Sequence, residues 1–379
     1  MITQTNHRET FRFVPSTSTP VSPERVAQLL KAEWELFTKQ TGKSAEESKR
    51  ALKSLPMGVT SSFQHWDPYP ISIVSAKGAW MTDVDGRQLL DLSMGFGAML
   101  AGHLNPVIVE EVKKALESGT LFVTPSPIST DAAERICRRF GIEQVRFTNS
   151  GTESTMYAVR TARAATDKNA IVKIEGGYHG SYDPFVVSSK PPIDKIGDAE
   201  DPIAYTPEGI VPGEIYVVPY NNADALERTF KKHGSSIACF ILEPVLENIG
   251  IVLPDEGYLE RVRELCDEYN VVLIFDEVKT GLTAGHQGAA QRLGVTPDLI
   301  TLAKSIGGGL TLAAFGGKKK YMDFVTNGKM AHFGTFNGNP LAMAGVRAAD
   351  VIFTEESLAK AEGFNQQALD RISVIIEQY

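Results

Sequence analysis

Lys304 closes the apolar run 298–303 and precedes Ser305-Ile306-Gly307-Gly308-Gly309, so a buried strand should end on it at a glycine hinge. Desolvation at such an end disfavours the ammonium, and the freed amine can form an imine with an aldehyde. A second apolar run, 271–275, ends in Asp276-Glu277. A carboxylate placed there can hold a pyridinium nitrogen protonated, by ~1–3 pKa units. A third run, 145–148, opens into Asn149-Ser150-Gly151-Thr152-Glu153 ahead of a helix-like stretch. Free N–H groups at a helix N-terminus, with two hydroxyls, make an anion site. Amine, carboxylate and anion turn are the three protein groups that pyridoxal phosphate chemistry needs.

Each group alone has a plainer reading. A single lysine is ordinarily a solvated surface charge, Asp276 can cap the turn after its strand, and Ser150 or Thr152 can N-cap the next helix. Tyr178, in Gly176-Gly177-Tyr178-His179-Gly180, can stack on a planar ring for ~0.5–1.5 kcal/mol or fill a core. His179 beside it reads mainly as structural. Glu243 and Glu277 can orient Lys304 or face a loop, and Thr335 can donate to a phosphate or stabilise its own turn. Glycines 307–309 would let a flat cofactor approach the backbone. The first three groups, each at a strand end, outweigh the plainer readings together.

Strand-like runs at 145–148, 171–174, 215–218, 237–242, 271–275 and 298–302 alternate with amphipathic stretches. In one of these, 258–269, Leu259, Val262, Cys266 and Tyr269 form a stripe. This rhythm predicts an α/β fold, a mostly parallel central sheet with helices on both faces, plus a small α+β domain. Ligands gather at the carboxyl ends of such strands. Asn149 onward, Glu243, Asp276 and Lys304 all fall at those ends. Upstream, residues 1–20 read as a loose polar arm, and Ser22 to about Leu55 repeats apolar residues (Val26, Leu29, Leu30, Trp34, Phe37) at helical spacing. Runs 71–74, 79–82 and 89–92 around Asp85-Gly86 suggest a small antiparallel piece. Segment 197–213 reads as a surface loop. The expected parts are 1–92, an arm, helix and antiparallel segment; 93–340, the large cofactor-binding α/β domain; and 341–379, the start of a small C-terminal domain that breaks off at Tyr379.

With 379 residues, 42% hydrophobic and 22% charged, the chain has the balance of a soluble globular protein of about two domains. A net charge of −8 argues against nucleic acid or an anionic membrane as the main partner. Cys137, Cys239 and Cys266 have neither pair nor metal spacing, so buried free thiols in a reducing compartment are expected, and no metal. The N-terminus lacks the apolar core of a signal peptide, and no run approaches ~18 apolar residues. A cytoplasmic location is the expectation.

With these residues assembled, the chain resembles the class III aminotransferases of the fold-type I pyridoxal phosphate enzymes, nearest in look to glutamate-1-semialdehyde aminomutase and the β-amino acid transaminases. The resemblance runs from about Leu55 to the end and is dense in 147–153, 178–180, 243–245, 275–278, 303–309 and Gly334-Thr335. It implies pyridoxal 5′-phosphate bound covalently to Lys304, Asp276 at the ring nitrogen, and Ser150, Gly151 and Thr152 on the phosphate. It further implies Tyr178 on the ring, with His179, Glu243 and Asn248 close by. Thr335 would reach the phosphate in a partner subunit, which implies a homodimer with shared sites. The implied reaction is a ping-pong aminotransfer between an amine or amino acid donor and a carbonyl acceptor, with Lys304 shuttling the proton. The alternatives are an intramolecular aminomutase of the glutamate-1-semialdehyde type and a non-catalytic protein on the same fold. The aminomutases carry a carboxylate-binding arginine where this chain has Gln64, and the β-amino acid transaminases place theirs at Ser62. Ser62, Gln64, Trp66 and Phe122 are the candidate substrate residues, with Phe63 beside them.

Overall fold

The computed structural model describes residues 22–197 and 203–378, so the expected polar arm at 1–20 lies outside the described residues. The chain forms two compact units. One comprises the chain up to Ala76, Trp80–Leu90 and the chain from Lys360; the other comprises Lys77–Ala79 and Asp91–Ala359.

In the smaller unit, helix α1 (Pro23–Gln40) starts with proline in its first turn, and the Ser22 hydroxyl accepts from the Arg25 N–H at 3.2 Å. The single expected helix is two, because Thr41 leaves helical geometry before α2 (Gly42–Ala51). The apolar stripe of α1 is present but unburied, with Val26 50% and Leu30 54% exposed. Strands β1 (Ile73–Lys77), β2 (Trp80–Asp83) and β3 (Gln88–Leu90) form a small sheet, in which β2 and β3 pair antiparallel. The Asp85-Gly86 turn between them is the expected hairpin signal, and the Asp85 carboxylate accepts from the N–H groups of Lys43 and Ser44 at 2.8 and 3.0 Å.

The larger unit opens with α3 (Pro106–Ser118) and α4 (Pro127–Phe140), then alternates strand and helix. The series is β4 (Gln144–Thr148), α5 (Gly151–Thr166), β5 (Ala170–Ile174), α6 (Asp183–Val186), β6 (Ile215–Val218), α7 (Ala223–His233), β7 (Ile237–Leu242) and α8 (Tyr258–Glu268). It continues through β8 (Val272–Asp276), α9 (Thr280–Thr283), α10 (Gly288–Arg292), β9 (Leu299–Ala303), β10 (Ala313–Gly317), α11 (Lys319–Thr326) and α12 (Pro340–Ile352), and ends in the first turn of α13 (Glu355–Gln378), whose residues from Lys360 belong to the smaller unit. The seven-stranded sheet has the order β4-β10-β9-β8-β7-β5-β6, and β10 alone runs antiparallel to its neighbours.

Alternation along the strands divides the core into two clusters. Val172, Phe240 and Leu273 pack with Leu226 of α7 and Leu259 of α8; Ile171, Cys239 and Ile274 pack with Ala158, Val159 and Ala162 of α5. Helices therefore cover both faces, as the unbroken apolar runs required. Strand β10 is not foreseen, because Ala313-Ala314-Phe315-Gly316-Gly317 has little β-propensity and ends in a turn-like pair. It forms because Gly316 lies against the Gln144 carbonyl, where a Cβ would collide. The larger unit also runs past the expected boundary at 340. Helix α12 buries Met343, Val346 and Ala349 in the main core, and Arg139 Nη2 pairs with its Asp350 Oδ1 at 2.8 Å.

Asp298 anchors the start of β9, the strand that ends at Lys304. Its carboxylate accepts from Lys318 Nζ at 2.7 Å, from Arg263 at 3.0 Å and from the Leu273 N–H at 2.9 Å. Burial pushes this carboxyl up, but Lys318, Arg263 and the Leu273 N–H outweigh burial and hold it below the usual 3.8. A carboxyl lowered in the folded state contributes stability that is full above its unfolded value and is lost as pH falls through the folded one. Urea midpoints should therefore drop on acidification from about pH 5 to pH 3, and less steeply in Asp298→Asn. An unchanged slope in the variant would remove Asp298 from the acid response.

Among the described residues no helix is long and apolar enough to cross a membrane, and no three His, Cys, Asp or Glu side chains gather as a metal site. The three cysteines are free, with Cys239 and Cys266 buried and Cys137 partly so.

Candidate active site

Because β4, β5, β7, β8 and β9 run parallel, their carboxyl ends share one edge of the sheet. A cavity of about 380 Å³ opens there, lined among others by Ser150, Gly151, Thr152, Tyr178, His179, Glu243, Asn248, Asp276 and Lys304. Nine residues predicted from sequence thus meet in one place.

Lys304 follows the last residue of β9 with φ 53°, a left-handed backbone rare for a residue with a Cβ and typical of functional positions. Burial holds its amine below the ordinary 10.5; Asp276 pulls it back up, and Lys279 pushes it further down. Such an amine reaches its nucleophilic, neutral form at lower pH than a surface lysine. The glycines after it have a different role from the one expected. A Cβ on Gly308 would meet Ile108 Cδ1 of α3 at 2.9 Å, and one on Gly309 would strike Met99 Sδ. They admit neighbouring protein, and of the three only Gly309 lines the cavity.

Asp276 is 3% exposed and fully held. One oxygen accepts from Thr301 Oγ1 at 3.0 Å and the Val278 N–H at 3.1 Å; the other lies 2.7 Å from His179 Nδ1. His179, also buried, is the orienting partner of that carboxylate, and its Nε2 has no hydrogen-bond partner among the described residues. The two acids left open by sequence separate cleanly. Glu243 faces the cavity, accepting from the Tyr178 N–H at 3.1 Å, the Glu247 N–H at 3.2 Å and Asn248 Nδ2 at 2.8 Å. Glu277 turns away to α10, where it accepts from the Ala289 and Ala290 N–H groups at 2.7 and 2.8 Å, while burial pushes its carboxyl up.

Ser150 caps α5, its hydroxyl accepting from the Glu153 N–H at 3.2 Å. The capping and anion-binding readings coexist, since Ser150, Gly151 and Thr152 at the α5 N-terminus line the cavity. Thr152 Oγ1 accepts from the Ser181 N–H at 3.1 Å, tying this turn to the loop that carries Tyr178. Tyr178 is 44% exposed, so it is a cavity wall and not a core residue.

The other candidates are not among the residues that line this cavity. Phe122 and Thr335 line a second cavity of about 590 Å³ with Arg146, His332 and Asn337. Ser62, Gln64 and Trp66 belong to the smaller unit, and the described residues lining the Lys304 cavity belong to the larger one. Gln64 Oε1 accepts from Thr60 Oγ1 at 2.7 Å, and Trp66 is 70% exposed. Sequence reasoning missed Lys279, Thr155 and the 310–312 turn, all of which line the cavity. Lys279 carried a usable signal: it stands three residues past Asp276, just beyond a parallel strand's carboxyl end.

The residues fit pyridoxal phosphate, since an amine, a locked carboxylate and a helix N-terminus face one cavity of suitable size. The class III aminotransferase family model matches residues 62–379. A glutamate-1-semialdehyde 2,1-aminomutase from Methanocorpusculum labreanum is 42% identical over 322 residues, 84% of this chain and 77% of that protein. Among solved structures, an omega-transaminase from Sphaerobacter thermophilus is 36% identical with a TM-score of 0.79, over 83% of this chain and 73% of that one. A glutamate-1-semialdehyde aminomutase from Pseudomonas aeruginosa is 28% identical with a TM-score of 0.80, over 89% and 76%. The chain belongs to the class III aminotransferases, pyridoxal phosphate enzymes with the fold-type I architecture.

Proposed function

We propose that this enzyme moves the amino group between adjacent carbons of a single substrate, as a glutamate-1-semialdehyde 2,1-aminomutase. The observation carrying this reading over the aminotransfer expected from sequence is the 42% identity, across 84% of the chain, to a protein of that name. The exchange is redox-neutral: the amino nitrogen leaves C2 for C1, the oxygen appears on C2, and the product is the isomer 5-amino-4-oxopentanoate.

Pyridoxal phosphate, when bound, supplies the electron sink for charge at the substrate carbon. The protein's part follows from the residues. Lys304 Nζ holds the cofactor and then carries a proton between the two carbons, a task suited to an amine that burial has lowered. Asp276, fixed by His179, Thr301 and the Val278 N–H, presents a negative charge to the ring nitrogen. The α5 N-terminus orients the phosphate, and Glu243 fixes the loop of Tyr178 through its N–H. Thr335 lies outside the Lys304 cavity of its own chain, which supports its expected place at the cofactor of a second subunit.

A second reading, aminotransfer between separate donor and acceptor, is favoured by Ser62 and Gln64 standing where the resemblance leads one to look for arginine. It is favoured also by the likeness to the omega-transaminase. Incubating the holoenzyme with glutamate 1-semialdehyde alone separates them. Equimolar 5-amino-4-oxopentanoate without the deaminated 4,5-dioxopentanoate is the expected result. A requirement for a second carbonyl compound, with 4,5-dioxopentanoate accumulating, would replace the aminomutase by a transaminase.

A further inference from the structure

Among the described residues four charged side chains line the Lys304 cavity: Glu243, Asp276, Lys279 and Lys304. Both carboxylates are engaged by protein donors on each of their oxygens. Lys304 is the amine of the reaction. Lys279 is left over. It is partly buried, at the start of α9, and no hydrogen bond or ion pair within 4 Å is made by its ammonium among the described residues. Glu247 attracts it at longer range. An ammonium that lines a cavity with no protein carboxylate in hydrogen-bonding reach can receive an anion that the ligand of the cavity brings. No arginine lines this cavity among the described residues.

We propose that Lys279 determines substrate specificity by receiving a substrate carboxylate, so that the enzyme takes carboxylate-bearing amines and aldehydes and discriminates against neutral ones. The proposal rests on the amino-group-transfer reading of the site. It assigns the carboxylate contact to the loop after β8, in a chain with glutamine at 64 and serine at 62. Lys279 is the cavity's spare cation: the α5 N-terminus serves the phosphate, and a substrate carboxylate is the anion still without a partner.

The test compares wild-type, Lys279→Gln and Lys279→Arg holoenzymes. Pentanoate, which has no amino group and cannot react, probes binding alone. Half-reactions of 5-aminopentanoate and butylamine, followed by the absorbance of the bound cofactor, probe turnover of one skeleton with and without the carboxylate. In Lys279→Gln the dissociation constant of pentanoate should rise about 10- to 100-fold, the range for a hydrogen bond to a charged group. The 5-aminopentanoate half-reaction should weaken by a similar factor beyond any loss with butylamine, which reports the removal of the Lys279 charge from the neighbourhood of Lys304, and Lys279→Arg should restore much of the loss. Equal pentanoate binding in wild type and Lys279→Gln would overturn the proposal. So would equal losses with 5-aminopentanoate and butylamine together with a shifted cofactor absorbance, which would place Lys279 on the cofactor. Failure of the underlying reading has another signature: a wild-type protein that stays colourless with pyridoxal phosphate and reacts with neither amine.

Discussion

Lys304→Ala should lower turnover by at least about 10³-fold while leaving the fold intact. Proton transfer by a positioned side chain contributes ~10²–10⁴-fold, and loss of the covalent tether adds to it. The variant should still bind pyridoxal phosphate, because the α5 N-terminus, Asp276 and Tyr178 are untouched, but the cofactor should dialyse away. Circular dichroism and the unfolding midpoint provide the control for folding. The same residue predicts a pH dependence with a definite sign. Burial is the main force holding the Lys304 amine below the ordinary 10.5, so covalent attachment should accelerate through a midpoint under that value as pH rises. A midpoint at or above it would mean that the lysine is solvated, as a lone surface lysine would be.

Asp276→Asn carries the second large effect. The substitution keeps the size of the side chain and removes its charge. A carboxylate beside a cationic ring nitrogen favours the protonated ring by ~1–3 pKa units, so turnover should fall by roughly 10- to 10³-fold. It should also shift the absorbance of the bound cofactor. The asparagine amide can still accept from Thr301 and the Val278 N–H, which separates electronic loss from structural collapse. His179→Asn should weaken the reaction less, since that residue orients the carboxylate through Nδ1 without replacing its charge. Activity within threefold of wild type in Asp276→Asn would reduce Asp276 to a cap on the Val278 turn.

Much of this site was legible in the sequence because strand ends announce themselves. Unbroken apolar runs end at Thr148, Leu242, Asp276 and Ala303, and the residues around those ends (Ser150 to Thr152, Glu243, Asp276 itself and Lys304) share the cavity. What escaped was set by packing. Strand β10 hides among small residues, and its place between β4 and β9 depends on a glycine contact with the Gln144 carbonyl. Glu277 and Glu243 are alike in sequence, yet only the structure shows one capping α10 and the other walling the cavity. Lys173 lies within an apolar strand run but is fully buried, donating to the Val187 carbonyl at 2.7 Å, with burial lowering its ammonium to about 7. Periodicity also overstates burial in α1, whose stripe stays exposed. Lys279 was overlooked because a lysine without a neighbouring motif reads as a surface charge until the cavity is seen around it.

Amino-group chemistry centred on Lys304 is tested most directly by reducing the holoenzyme with borohydride and mapping the peptide that carries the pyridoxyl group. The label should sit on Lys304 alone and vanish in Lys304→Ala. A label on Lys279, or a wild-type protein that takes none, would contradict the assignment.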